Sequence, residues 1–122
     1  MISFVRRGQT KRSPKLQGAT SDVALLMLYN EFMWYFVYIL LSLKDRKFYI
    51  GYTEYLEKRL KQHIDGRVAS TRFRRPFKLL HYEAFVDQRD AEAREKFLKS
   101  GAGHTQLQAK LKRTLAKDYA KV

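Results

Sequence analysis

The chain predicts an α+β fold, a small three-stranded antiparallel sheet flanked by helices in the order β-β-α-β-α-α. Three observations carry that expectation. Residues 34–41 are apolar at nearly every position and rich in aromatic and β-branched side chains, as in a central strand covered on both faces. Tyr38-Ile39 is answered eleven residues later by Tyr49-Ile50, across a polar break containing the turn former Asp45, which reads as a hairpin. Beyond it, apolar residues recur at helical spacing: Leu56, Leu60 and Ile64, then Ala91 and Leu98, then Leu107, Leu111, Leu115 and Tyr119.

In chain order, residues 1–32 form an N-terminal arm. Residues 1–22 are polar and broken by Gly8, Pro14 and Gly18, so they read as flexible, while 23–29 are apolar enough for two helical turns. Met33 immediately precedes the first strand, so the arm is expected to be dispensable, an extension upstream of the folded unit at 33–122. A rival reading makes residues 23–43 a membrane anchor behind Arg6, Arg7, Lys11, Arg12 and Lys15. Asn30 and Glu31 near the middle, and the strand-forming second half, argue against stable insertion.

Strand two covers 48–52, with Gly51 allowing close backbone approach. The first helix follows Thr53 as N-cap and stops at Asp65-Gly66, with Arg59 and His63 flanking its buried stripe. Strand three covers 78–85. A second helix runs from near Asp87 to Ser100 and carries Glu95 on its inward side, which requires an ion pair with Arg59 or Arg94, or a bound cation. Gly101-Ala102-Gly103 reads as a hinge before a last helix opened by a Thr105 to Gln108 capping box.

Charge narrows the function. The 122 residues include 25 Lys plus Arg against 12 Asp plus Glu, a net +13, and no cysteine. A disulfide scaffold and a cysteine zinc site are excluded, and a reducing cytoplasm is compatible. Residues 1–32 hold 5 basic and 2 acidic groups, so +3; residues 33–122 hold 20 and 10, so +10. The excess belongs to the folded unit and predicts a polyanionic partner. Arg67, Arg72, Arg74 and Arg75 cluster around Ser70, Thr71 and Phe73 in one loop, a composition suited to phosphate contacts.

The text of these elements, from Val37-Tyr38-Ile39-Leu40 through Phe48-Tyr49-Ile50-Gly51-Tyr52-Thr53, Leu56 to His63, Gly66, Ala69-Ser70-Thr71 and Arg75-Pro76-Phe77 to Arg94-Glu95-Lys96-Phe97-Leu98, resembles the GIY-YIG nuclease domain. It is most similar to small stand-alone members and to the N-terminal incision domain of the excision-repair nuclease UvrC. The resemblance implies a divalent-metal-dependent DNA endonuclease, possessing structural selectivity in repair or recombination. It makes Val37, Ile39, Ile50 and Gly51 the structural motif, and Tyr38, Tyr49, Arg59, His63 and Glu95 the catalytic set. Glu95 would ligate one Mg²⁺ or Mn²⁺. Either Tyr49, aided by positive charge, or His63, titrating near neutrality, would be the general base. On residue type alone, both tyrosines would be core aromatics and His63 a surface histidine.

Lys58, Lys61, Arg67, Arg72, Arg74, Arg75, Lys96 and Lys99 are the expected nucleic-acid contacts. Tyr52 stands where UvrC usually has lysine, and Ile64 and Phe73 where small members often have asparagine. DNA is the expected partner, with a protein partner supplying specificity and a cytoplasmic, nucleoid-associated location. The alternative is a non-catalytic basic module binding DNA or RNA on the same fold.

Overall fold

Strand β1 (Tyr35–Ser42) sits at the centre of the molecule because a strand occupies each of its edges and helices cover both its faces. The computed structural model describes residues 21–30 and 34–117. Strands β2 (Phe48–Thr53) and β3 (Phe77–Phe85) both pair antiparallel to β1, giving the order β2-β1-β3. Each strand end falls within one residue of the sequence expectation. Side chains alternate across β1. Val37 and Ile39 enter an apolar cluster with Ala91, Leu98, Leu107 and Leu111, whereas Tyr38 and Leu40 face Leu56 on the other side.

The hairpin turn is closed by side chains, since no regular ladder can serve its amides. Buried Ser42 accepts at its hydroxyl from the amides of Lys44 and Asp45, and Asp45 accepts from the Lys47 amide at 2.9 Å. On the far edge, Ile39 lies opposite His81 but Leu40 opposite Leu79, so β3 carries an extra residue at Leu80.

Helix α1 (Asp22–Asn30) precedes the sheet. The apolar run at 23–43 is thus divided between a short helix and β1, and no helix among the described residues is long and apolar enough to cross a membrane. Residues 1–20, expected to be flexible, lie outside the described residues. Helix α2 (Leu56–Ile64) corrects one expectation. Ile64 is 68% exposed, and His63 is buried in its place. The helical pitch explains this: seven residues on from Leu56 lies within about 20° of it, whereas eight residues on is rotated by about 80°. Thr53 does not cap this helix; its hydroxyl accepts from the Tyr55 amide, and Tyr55 holds the N-cap position.

Helices α3 (Gln88–Leu98), α4 (Gly101–Lys110) and α5 (Lys112–Leu115) complete the described chain. Asp87 caps α3 through the Arg89 amide, as its position suggested. The expected hinge at 101–103 is instead the first turn of α4, capped by the Ser100 hydroxyl on the Gly103 amide. Gly103 is there for contact: a Cβ would strike the Phe97 carbonyl and the Leu98 backbone, so glycine lets α4 fold tightly onto α3. Thr105 therefore lies inside a helix, donating to the Gly101 carbonyl, and opens no capping box. Leu107 and Leu111 are buried and Leu115 packs against them, while Tyr119 lies outside the described residues.

Candidate active site

Tyr38 and Gly51 are directly opposed on β1 and β2, and the tyrosine ring lies across the glycine. A Cβ at position 51 would collide with the ring and its hydroxyl, so Gly51 is what gives Tyr38 its orientation. From there the hydroxyl meets His63 Nε2 at 2.7 Å, in a fully buried contact. His63 Nδ1 meets the Thr71 hydroxyl at 2.8 Å, and that hydroxyl donates to the Val68 carbonyl at 3.4 Å. With the Thr71 proton directed at Val68, its oxygen accepts Nδ1–H, and Nε2 is left to accept the Tyr38 O–H. That arrangement is the one in which the imidazole carries its proton on Nδ1.

Tyr49 completes an aromatic group, its ring centroid 5.1 Å from His63 and 6.3 Å from Tyr38. Arg59, one turn before His63, donates to Gln62 Oε1 at 3.0 Å. Burial, the largest cause, pushes the Tyr38 phenol up to about 12, and the Glu95 charge adds to the rise while Arg59 beside the hydroxyl opposes it. Burial and then the Arg59 charge hold His63 down at about 4. His63 is thus buried, where residue type alone suggested a surface histidine, and its proton affinity is pushed below the neutral range; its ring touches both Tyr38 and Tyr49.

Glu95 sits half-buried on α3 and pairs with neither Arg59 nor Arg94. Its Oε2 lies 3.0 Å from Lys99 Nζ, one turn on. Arg94 instead forks onto Glu83 at 2.9 and 3.1 Å, with His81 on the same carboxylate at 3.0 Å. Burial works against ionising Glu83, but the Arg94 and His81 contacts outweigh it and its pKa is lowered. Tyr52, at the lysine position, points to the α3 face and away from Tyr38; burial raises its phenol, whose hydroxyl has no hydrogen-bond partner among the described residues.

The expected nucleic-acid contacts separate into groups. Lys58, Arg67, Arg72 and Lys96 are exposed, as are Lys61, paired with Asp65, and Lys99, paired with Glu95. Arg74 and Arg75 have other engagements. Arg74 is bound to Asp45 at 2.7 Å and to the carbonyls of Lys47 and Phe48, which ties the loop to the hairpin. Arg75 holds the carbonyls of Arg72 and Ile64.

Two features escaped sequence reading. Thr71 was visible only as part of a hydroxyl-rich loop. Arg46, Lys47, His104 and Gln108 join Tyr49 and Lys99 around an open cavity of about 680 Å³, assembled from elements far apart in the chain. Among the described residues no three His, Cys, Asp or Glu side chains gather to hold a metal. Glu95 is a lone carboxylate, which suits Mg²⁺ or Mn²⁺ completed by water and phosphate oxygens and does not suit structural zinc.

Residues 34–108 match the family model of the GIY-YIG catalytic domain. The chain belongs to the GIY-YIG family. All five residues around the Tyr38–His63 contact fall within the matched region, as does Thr71. The domain is similar to the UPF0213 protein CPE1444 of Clostridium perfringens, 43% identical over 74 residues that cover 60% of this chain and 78% of that one. A UPF0213 protein of Bacillus velezensis, RBAM_000440, is 48% identical over 58 residues, covering 47% and 58% respectively. The solution NMR structure of the UPF0213 protein BH0048 from Bacillus halodurans is 36% identical and covers 63% of this chain and 84% of that chain, with a TM-score of 0.42. GIY-YIG domains constitute a nuclease family, so a nucleic-acid substrate follows from membership.

Proposed function

We propose that this GIY-YIG domain is a divalent-metal-dependent endonuclease that hydrolyses phosphodiester bonds in DNA, acting on structured substrates of repair or recombination at the nucleoid. The observation that carries the reading is the buried 2.7 Å contact between the Tyr38 hydroxyl and His63 Nε2, with the Tyr49 ring packed against both. A core tyrosine needs no such company.

Tyr38 is protonated at neutral pH and its proton already points at a neutral imidazole. When a water attacks phosphorus, the oxygen of Tyr49, which lines the open cavity and acts as general base in its deprotonated form, accepts the water proton, since Tyr38 is wholly buried. The new P–O bond forms as the bond to the leaving strand oxygen breaks, and that oxygen keeps the electron pair. In this scheme Tyr49 is the group that touches water, and the buried Tyr38–His63–Thr71 chain of hydrogen bonds behind it fixes the wall of the site. Arg59 donates to the equatorial phosphate oxygens, where charge grows. Glu95 would hold Mg²⁺ or Mn²⁺, which when bound neutralises the leaving oxygen. Lys58, Arg67, Arg72 and Lys96 supply backbone contacts, with Lys61 and Lys99 available once released from their carboxylates.

The test is cleavage of single-stranded, duplex, nicked, flap and branched DNA with Mg²⁺, with Mn²⁺ and with chelator. Metal-dependent nicking of at least one substrate is expected. Tight, salt-sensitive binding with no cleavage of any substrate would instead support a non-catalytic binding module on this fold.

A further inference from the structure

We propose that Phe73 is a stacking platform for an unpaired nucleobase next to the cleaved bond, so that this domain selects strands with bases out of the duplex. The inference rests on the nuclease reading above and names the substrate feature that the same site would select.

A lone exposed aromatic says little, since surfaces carry many. Phe73 differs in how it is held and in what surrounds it. Its side chain is 73% exposed, yet its backbone is clamped. Lys44 Nζ donates to the Phe73 carbonyl at 2.8 Å, and the buried Ser42 hydroxyl donates to the next carbonyl, Arg74, at 2.7 Å. Arg74 is locked to Asp45, and Arg75 ties the Arg72 carbonyl back to the end of α2. The ring thus projects from a short 3₁₀ turn (Arg72–Arg74) fixed at several points. A rigid aromatic loses little entropy when a base stacks on it.

Its neighbours indicate what would stack. The Arg72 guanidinium lies over one face of the ring, 4.9 Å from its centroid, which leaves the other face for a base and puts a cation within reach of that nucleotide's phosphate. An apolar protein partner would meet that charge at its own cost, whereas a nucleotide supplies both the flat ring and the anion. The turn also has a fixed position relative to the proposed chemistry. Thr71, its N-cap residue, bonds His63, which bonds Tyr38. One residue, Arg72, separates the platform from that chain of hydrogen bonds, which fixes the turn against α2.

Binding of full-length Glu95→Gln protein to a single strand, a flap and a blunt duplex of equal length, measured at fixed salt, tests the proposal without cleavage. A 2-aminopurine at the unpaired position reports stacking by quenching. Adding Phe73→Leu is expected to weaken binding of the single strand and flap by about 10-fold, the scale of one base–aromatic stack, and to abolish the quench, with duplex binding changed less than about 2-fold. Phe73→Trp should restore both. Equal weakening on all three nucleic acids, or unchanged binding and quench in Phe73→Leu, would overturn the platform. Cleavage by otherwise native protein is read separately. A selective Phe73 effect without cleavage of any substrate would keep the platform and refute the nuclease reading.

Discussion

The two faces of β1 come from one eight-residue strand and are built on opposite principles. Toward α3 and α4, Val37 and Ile39 meet alanine and leucine, and burial is apolar. Toward α2, Tyr38 is buried with His63 and Thr71, and its few apolar neighbours serve to exclude water. The first face gains its stability from area removed from water. The second buries polar groups that are tolerable only because each is hydrogen-bonded to the next. The difference teaches where to look for function in a domain this small: on the face where apolar packing was sacrificed. Removing a residue from one face should therefore unfold the protein, and removing one from the other should silence it.

The largest effect expected is on rate. Tyr49→Phe should lower cleavage by about 10²–10⁴-fold, the usual reach of general acid–base catalysis. Tyr38→Phe should lower it less, by loosening His63 behind the site. It should also cost about 1–3 kcal/mol of stability, because it leaves buried His63 Nε2 without a donor. Rates and denaturant midpoints measured on the same preparation separate the two. Leu98→Ala on the other face should cost about 2–5 kcal/mol, with the rate per folded molecule unchanged. A variant that kept its stability would show that the α3 face is not the core.

The pH dependence of stability sharpens the comparison further. His63 binds its proton more weakly folded, at about 4, than unfolded, at 6.5, so the unfolded chain takes up protons first as pH falls. Its neutral form thus contributes fully above about 6.5, and the contribution is lost on acidification toward about 4, amounting to about 3 kcal/mol for this 2% exposed side chain. Melting curves across that window should slope less in His63→Gln than in the parent. The smallest effect divides the arginine loop. Arg74→Ala should cost about 1 kcal/mol of stability through its partly exposed pair with Asp45, while Arg72→Ala leaves the melt in place and lowers the salt slope of DNA binding by about 1.

Strand positions were legible because apolar runs and turn formers leave few alternatives. The inward face of α2 was misjudged by one residue. Counting every fourth position follows the leucines and ignores the drift that brings His63 round to Leu56. Gly103 was misread for a different reason: glycine signals a break in most sequences, and only the packed structure reveals that it is making room for Phe97 and Leu98. Tyr38, Tyr49, Arg59, His63 and Glu95 were named from motif text; the structure joins the Tyr38 hydroxyl to His63 and packs Tyr49 against both rings, while Arg59 and Glu95 contact Gln62 and Lys99. Thr71 could not be named in advance, since its role depends on how a loop folds back onto α2. The same holds for Arg74 and Arg75, whose partners lie in the hairpin and at the end of α2.

The central claim is that a lone carboxylate on α3 and a buried tyrosine–histidine pair on β1 and α2 form one hydrolytic site. Glu95→Gln tests it most directly, since the side chain is isosteric and its ion pair among the described residues is an i,i+4 pair with exposed Lys99, worth little to stability. Mg²⁺-dependent cleavage of flap and single-stranded DNA should fall at least 100-fold in this variant, with its melting curve superimposed on that of the parent. Cleavage that survives the substitution in a correctly folded protein would contradict the account.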